Sequence, residues 1–214
     1  YLSPPLRSLE VVERVVTMAA SRGLLVMLDV HRLNASVWPD PRGLWYDATN
    51  ARPSARLDVV AAAWARLAAL FCGHWNAFAA DLFNEPWGGT WSDEEWDDES
   101  GTDWPAAASA LGDAVLAACP RWLVFIEGVG NTASDCELCF WGENLKGLQR
   151  APNAVQLPAE RVVYSPHVYG PGTNPEMRER KDPEGPRPKM KKGRDAVALG
   201  LNEGRKGPWA PEPK

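Results

Sequence analysis

Short apolar runs alternate with helix-like segments along most of this chain, and this alternation constrains the fold most strongly. Residues 24–30, 77–83, 122–126 and 161–165 are apolar runs with the length of a buried strand. Apolar residues at helical spacing precede the first run and separate the first three, and a short candidate helix at 144–150 precedes the fourth. The run at 24–30 is typical of a strand buried on both faces. The pattern predicts βα units, an α/β fold and a parallel sheet.

A parallel sheet of this kind is either doubly wound or closed into a barrel. No Gly-x-Gly-x-x-Gly segment follows a predicted strand, so a dinucleotide-binding fold has no support. Polar and aromatic residues gather directly after the strands, where a (β/α)8 TIM barrel holds its active site. A full barrel has eight strands in about 250 residues. We identify four strands, and therefore predict a central portion of about four βα units.

Charge divides the chain into two parts. The 214 residues carry a formal net charge of −5, which separates into −9 over residues 1–174 and +4 over residues 175–214. The second part is rich in Pro and Gly and has no apolar period. We expect a partial catalytic barrel over 1–174 and a disordered or mistranslated tail over 175–214. The acidic body argues against a nucleic-acid partner, and no apolar run reaches the length of a membrane span.

The second predicted strand ends in the segment Asn84-Glu85-Pro86. Pro86 cannot donate to a sheet and ends the strand, which places Glu85 at the mouth of the sheet. Walls such as Trp87 and Trp91 would partly desolvate this carboxyl, and desolvation raises its pKa and favours a proton donor. Asn84 offers a donor and an acceptor that suit a sugar hydroxyl. The alternative is a strand-end turn with a solvated Glu.

Histidines follow the first and fourth predicted strands. His31 follows the first strand, and His167 and Tyr169 follow the fourth. The spacing of two residues directs the last two side chains the same way in extended chain. Together they could orient a carboxylate and donate to a substrate, or simply satisfy loop backbone. His74 precedes a strand, at the opposite end, and is predicted to be structural.

The four cysteines leave the redox compartment open. Cys72 and Cys119 each end a predicted helix, so a disulfide between neighbouring helices is possible. Cys136-x-x-Cys139 is a weak metal or redox signal, because no second Cys/His pair stands at ligand spacing. We expect all four to be structural, and we predict no metal site.

Residues 23–171 resemble glycoside hydrolase family 5, particularly its endo-β-1,4-glucanase members. The matching segments, in the family's order, are 24–32 (LLVMLDVHR), 44–46 (LWY), 82–86 (LFNEP), 123–129 (LVFIEGV), 141–145 (WGENL) and 161–169 (RVVYSPHVY). The resemblance implies a (β/α)8 barrel and retaining hydrolysis of a cellulose-like β-glucan without cofactor. It implies a polysaccharide as the partner and a secreted protein, which we expect to be monomeric.

The resemblance also implies roles for individual residues. Glu85 would be the acid/base, and Asn84 would contact the hydroxyl beside the reacting carbon. His31 and His167 would line the −1 sugar site, and Tyr169 would lie close to the nucleophile.

Aromatic residues and a second Glu complete the resemblance. Trp45, Trp87 and Trp141 would be stacking platforms for sugar rings, with core packing as the alternative. With 11 Trp in the chain, we expect some of them to line a binding surface. Glu127 matches a family position that is not the nucleophile, and we expect it to be structural or to support the site.

Retention requires a second carboxylate about 5–5.5 Å from the first. In the family this nucleophile is a Glu that ends the seventh strand, and we find no counterpart. The nearest trace is Glu203, in a stretch without a strand pattern. With this set incomplete, we expect an incomplete chain that is weakly active or inactive.

Three alternatives stay open. The first is another specificity within the family, such as β-mannanase or exo-β-1,3-glucanase. The second is a non-catalytic glycan-binding remnant that keeps the Trp surface. The third is a structural or interaction protein that uses the basic tail.

Overall fold

The computed structural model describes residues 8–33, 56–86, 88–91, 102–130 and 139–169. Their elements, in chain order, are α1 (Ser8–Ala20), β1 (Val26–Asp29), α2 (Leu57–Phe71), β2 (Ala77–Asp81), α3 (Trp104–Ala118), β3 (Leu123–Glu127), α4 (Gly147–Arg150), a 3-10 turn (Ala159–Arg161) and β4 (Val162–Ser165). The four predicted strands and the helices between them are confirmed. The predicted tail lies outside the described residues, and the division at residue 174 stays a prediction.

The four strands form one parallel sheet in the order β1-β2-β3-β4. Chain order equals spatial order, as in successive βα units of a barrel, whereas a doubly wound sheet reverses direction at a switch point. The register places Asp29 beside Asp81 and Glu127 beside Ser165. The segments that follow the strands therefore emerge at one edge of the sheet.

The first strand departs from its sequence-based prediction. We predicted burial on both faces over residues 24–30, but Leu24 and Leu25 are 57% and 60% exposed, and residues along β1 alternate between partly buried and exposed. Within the described residues β1 is an edge strand that pairs with β2 alone. An apolar run predicts that a strand tends to be buried. It does not show whether a neighbouring strand lies on each side of that strand.

Helices α2 and α3 cover the sheet and are joined covalently. Pro105 and the Asp103 side chain begin α3, because Asp103 accepts a hydrogen bond from the Ala106 backbone N–H at 3.1 Å. Cys72 and Cys119, each directly after its helix, form a disulfide with a Cα–Cα distance of 5.5 Å. The pairing that the sequence left open is therefore present.

The Arg121 side chain binds backbone carbonyl groups at the amino end of β2. Arg121 donates hydrogen bonds to the carbonyl oxygens of Cys72, His74 and Ala77 at 2.5–2.9 Å. His74 thus lies at the end of the sheet away from Glu85, and its ring contacts Phe71 at a centroid distance of 5.6 Å. Both observations agree with the predicted structural role of His74.

Four tryptophans belong to the core and not to a binding surface: Trp64, Trp91, Trp104 and Trp122. Three of their indole N–H groups donate to carbonyls near strand ends, since Trp64 bonds Leu82, Trp104 bonds Glu127 and Trp91 bonds Asn144 at 2.8–3.1 Å. These bonds fix the loops that carry the polar residues. None of the described helices is long and apolar enough to cross a membrane.

Candidate active site

Glu85 stands in strained backbone just beyond β2. Its φ of +45° lies in the left-handed region that residues other than Gly rarely adopt. The Glu85 backbone N–H donates to Glu127 Oε2 at 2.7 Å, so the end of β3 holds this conformation in place. Glu85 is 5% exposed and therefore does not sit in a solvated turn.

Two residues that follow β4 contact the Glu85 carboxyl. His167 Nδ1 lies 3.1 Å from Glu85 Oε1, and the Tyr169 hydroxyl donates to the same oxygen at 2.5 Å. This donation raises the pKa of Tyr169 to about 12, because ionising the phenol would remove the hydrogen bond and place two negative charges together. The structure therefore brings together three of the predicted site residues.

A pair of buried acids lies behind Glu85. Asp81 and Glu127 are both buried at the ends of neighbouring strands. Burial raises the pKa of each carboxyl, and the closeness of the other acid raises it further for Glu127, while Asp29 adds negative charge near both. These shifts favour the neutral form of both carboxyls over the carboxylate.

Sequence analysis missed Asp81, although a signal was present. A single acid inside the apolar run 77–83 is costly to bury and indicates a specific partner. Ligand atoms of Asp81, Glu127 and His167 lie within 4.8 Å of one another, close enough to share a cation.

The raised pKa of Asp81 gives stability a pH dependence of definite sign. A carboxyl whose pKa is higher in the folded state opposes folding once the pH exceeds its unfolded value, about 3.9. We expect Asp81→Asn to gain stability relative to the unsubstituted chain as pH rises from about 4. Urea unfolding at several pH values measures this difference.

Asp58 is the matched control for this prediction. The pKa of Asp58 is lowered because its carboxylate accepts hydrogen bonds from Arg56. The stability of Asp58→Asn relative to the unsubstituted chain should therefore fall as pH rises, opposite to the change for Asp81→Asn. If the difference in free energy of unfolding between Asp81→Asn and the unsubstituted chain does not vary between pH 4 and 8, the raised pKa of Asp81 is contradicted.

Two glycines allow a loop to approach the acids. The Gly142 carbonyl accepts hydrogen bonds from the backbone N–H groups of Gly128 and His167 at 3.0 and 2.9 Å. Gly142 has a φ of +74°, and a Cβ there would lie 3.0 Å from Glu127 Oε2 and 3.1 Å from Glu85 Cγ. The loop that positions His167 thus depends on the absence of side chains.

Gly128 is the position where an added methyl meets backbone. A Cβ on Gly128 would lie 2.6 Å from the backbone nitrogen of Asn144. We expect Gly128→Ala to lower the free energy of unfolding by about 1–3 kcal/mol, because backbone must shift. Denaturant unfolding checks this value. Gly73→Ala is the control, since its Cβ meets open space, and equal effects of the two changes would rule out the steric cause.

An aromatic row extends from Tyr169. The Phe140 ring meets Tyr169 edge to face at 4.8 Å and stacks on Trp141 at 5.3 Å. Trp141 is half-buried, so part of its ring remains accessible. Trp45 and Trp87, the other predicted stacking residues, lie outside the described residues.

The remaining predicted residues lie at the same edge but not in the same cluster. His31 Nδ1 lies 2.8 Å from Asp29 Oδ2, and the His31 side chain is 58% exposed. Asn84 is buried, and its backbone N–H donates to Val30 at 3.2 Å. These contacts place His31 at the end of β1 and Asn84 at the end of β2, at the same edge of the sheet as Glu85.

Glu127, the second Glu at this edge of the sheet, is not suited to act as the nucleophile. Glu127 is 1% exposed, accepts the Glu85 backbone N–H and favours its neutral form. A protonated, buried carboxyl is a poor nucleophile. Glu203, the nearest trace of the nucleophile in the sequence, lies outside the described residues.

Of the cysteines at 136 and 139, Cys136 lies outside the described residues and Cys139 is disulfide-bonded.

Fold and site together define a class. A parallel sheet of successive βα units, with a hydrogen-bonded Glu at its carboxyl edge, is characteristic of (β/α)-barrel proteins. The chain belongs to glycosyl hydrolase family 5, because the model of that family, described as Cellulase, matches residues 3–198.

Characterised relatives agree with this assignment. An endoglucanase from Paenibacillus polymyxa is 34% identical over 171 residues, covering 79% of this chain and 40% of that protein. The major extracellular endoglucanase of Xanthomonas campestris is 35% identical over 178 residues, covering 78% of this chain and 32% of that protein.

Solved structures show the same fold. The catalytic domain of the Xanthomonas campestris enzyme superposes with a TM-score of 0.68 at 29% identity, covering 85% of this chain and 50% of that chain. A cellotetraose complex of an endocellulase from Pyrococcus horikoshii superposes with a TM-score of 0.63 at 29% identity, covering 80% of this chain and 47% of that chain. The chain therefore spans half or less of the length of these proteins.

Proposed function

We propose that this protein acts on β-1,4-linked glucans as a glycosidase, with Glu85 as general acid and base. The observation that carries the proposal is the placement of Glu85, which is buried, strained and contacted by His167 and Tyr169 at the carboxyl edge of a barrel-type sheet. Relatives named endoglucanases support the reaction, and the cellotetraose complex supports the substrate class.

The geometry suits both halves of a retaining reaction. Protonated Glu85 gives its proton to the glycosidic oxygen as the bond to the sugar breaks. The resulting carboxylate accepts hydrogen bonds from His167 and Tyr169, and then removes a proton from the water that attacks the glycosyl intermediate. In the family, the carboxylate that traps the sugar carbon is the Glu at the end of the seventh strand, for which the sequence shows no counterpart.

Substrate contacts follow from the edge on which Glu85 lies. Trp141 offers a partly accessible ring continuous with Phe140 and Tyr169, and sugar C–H faces pack on such rings. Asn84 and His31 line the adjoining strand ends and supply hydrogen bonds to sugar hydroxyls. Secretion is part of the proposal, supported by the relative named an extracellular endoglucanase.

Release of reducing ends tests the proposal. The chain is incubated with cellotetraose, with β-1,4-mannan oligosaccharides and with β-1,3-glucan oligosaccharides. We expect the β-1,4-glucan to be cleaved faster than the other two. Faster cleavage of mannan or of β-1,3-glucan would replace the proposed specificity with one of the alternatives within the family.

A glycan-binding protein without turnover is the second candidate. The observation that favours it is that Glu127, the second Glu at this edge of the sheet, is buried and accepts the Glu85 backbone N–H, so it is not suited to act as the nucleophile. Binding to insoluble cellulose without any release of reducing sugar would support this candidate. Deleting residues 175–214 should leave that binding unchanged, and a loss would favour an interaction role for the basic tail.

A further inference from the structure

Two buried carboxylate oxygens at the carboxyl edge of the sheet have no hydrogen-bond partner within the described part of the chain. They are Asp81 Oδ1 at the end of β2 and Glu127 Oε1 at the end of β3. Asp81 is 5% exposed and Glu127 is 1% exposed, so bulk water does not solvate either carboxyl. A buried polar atom without a partner is costly, and both oxygens therefore indicate a ligand.

A ring nitrogen lies beside the same two oxygens. His167 Nε2 is 3.0 Å from Glu127 Oε1, yet the contact is not a hydrogen bond, since Oε1 has no such partner. Ligand atoms of Asp81, Glu127 and His167 all lie within 4.8 Å of one another. Because these residues come from the ends of three consecutive strands, they form no short sequence motif, and the sequence-based predictions included no metal site.

Either a proton or a cation could lie between the two acids. A carboxylate only accepts hydrogen bonds, so two neighbouring carboxylates need a positive group or a proton between them. One shared proton joins the two acids but leaves the contact between Nε2 and Oε1 unbonded. A divalent ion contacts all three ligand atoms and balances the charge of two carboxylates, to which Asp29 adds further negative charge.

We propose that Asp81, Glu127 and His167 form a binding site for a divalent transition-metal ion, for which Zn²⁺ is the probe. One imidazole nitrogen with two carboxylate oxygens is a donor set that Zn²⁺ accepts, whereas Ca²⁺ takes oxygen ligands alone. Two ligands about 2.1 Å from the ion and 3.0 Å apart subtend an angle of about 90°. The His167 side chain is partly exposed, so it can adjust, and a water can complete the coordination.

The ion ties the carboxyl ends of β2 and β3 to the segment that follows β4. It adds stability and takes no part in the proton transfer proposed for Glu85, since a different nitrogen of His167, Nδ1, faces Glu85. The preference of Asp81 and Glu127 for their neutral forms describes the chain without an ion, because a divalent ion favours the carboxylates. The pH series on Asp81→Asn is therefore measured with EDTA present.

Competition with a chromophoric chelator measures Zn²⁺ binding to the full chain at pH 7, without reductant so that the disulfides stay closed. We expect one Zn²⁺ per chain. Asp81→Asn and Glu127→Gln keep the size of the side chains but remove a carboxylate. Each should weaken binding by at least about 100-fold, because changes to groups that merely support a metal ligand already cost about 10–100-fold. No binding to the unsubstituted chain, or equal binding to Asp81→Asn, would overturn the proposal.

Two controls exclude other sites. Asp58→Asn removes an exposed acid, and His31→Asn removes the exposed imidazole that contacts Asp29. Both variants should bind Zn²⁺ within a few-fold of the unsubstituted chain. A loss in His31→Asn as large as the loss in Asp81→Asn would assign the ion to the exposed pair and reject the buried cluster.

Urea unfolding gives a second readout. An ion that binds only the folded chain raises the unfolding midpoint as its concentration rises. We expect this rise for the unsubstituted chain and for His31→Asn, and its absence for Asp81→Asn. An equal rise in all three chains would overturn the proposal.

X-ray absorption at the zinc edge decides the case even if the substituted chains do not fold. In the unsubstituted chain loaded with one Zn²⁺, we expect one imidazole and oxygen ligands at about 2.0–2.2 Å. A sulfur neighbour at about 2.3 Å, or two imidazoles, would overturn the proposal. None of these measurements depends on turnover, so a failure of the proposed function leaves them unchanged.

Discussion

In an enzyme that also carries the seventh-strand Glu, replacing Glu85 with Gln lowers the release of reducing sugar from cellotetraose by about 10²–10⁴-fold, the range expected for loss of a general acid. Gln keeps the shape of the side chain and can still accept the Tyr169 hydroxyl hydrogen bond, but it has no acidic proton to give to the glycosidic oxygen. The free energy of unfolding should change little, because the buried contacts are preserved. Initial rates with a reducing-end assay, together with urea unfolding, measure both effects.

Glu160→Gln is the matched control for this change. Glu160 is exposed in the turn before β4, at the amino end of the sheet and away from the site. The control should keep its full rate. A Glu85→Gln chain that cleaves cellotetraose within a few-fold of the original rate would remove Glu85 from the role of acid.

Removing the disulfide between Cys72 and Cys119 lowers the free energy of unfolding by about 2–4 kcal/mol. The two residues are 47 positions apart, so the bond closes a long loop and restricts the unfolded chain. It also ties the carboxyl ends of α2 and α3 together, beside the backbone groups that Arg121 holds. The measurement is urea unfolding of the Cys72→Ala, Cys119→Ala double variant.

Reductant supplies the control for the disulfide. Adding dithiothreitol should destabilise the original chain more than the double variant. The difference between their free energies of unfolding should therefore become smaller. A difference in free energy of unfolding below about 1 kcal/mol before reduction would contradict this prediction. It would mean that strain, or residual structure in the unfolded chain, offsets the stabilisation by the disulfide.

Sequence patterns predicted the strands because parallel strands of a barrel are apolar runs of limited length. They misjudged β1, since exposure at Leu24 and Leu25 depends on neighbours that the local sequence does not describe. The ends of α2 and α3 coincide with local signals, because Asp103 and Pro105 stand at the start of α3 and Gly73 follows α2.

The candidate site was predicted in parts. His167 and Glu85 are 82 residues apart, and strand order alone could place them only at the same edge of the sheet. The resemblance to family 5 placed both in one site, Glu85 as the acid/base and His167 as a residue that lines the −1 sugar site. The roles of Gly128 and Gly142 could not be predicted, because the clash that a Cβ would cause involves atoms brought together by the folded loop. Asp81 was missed because one acid in an apolar run forms no repeating pattern.

Leaving-group dependence tests the central claim most directly. Pre-steady-state release of aglycone is compared for Glu85→Gln and its parent, in an enzyme that also carries the seventh-strand Glu. One substrate is a cellobioside whose leaving group needs a proton, and the other is a dinitrophenyl cellobioside that departs without it. If Glu85 is the proton donor, the substitution slows the first substrate by about 10²-fold or more and leaves the second within a few-fold. Equal slowing of both substrates would contradict the assignment of Glu85 as the acid.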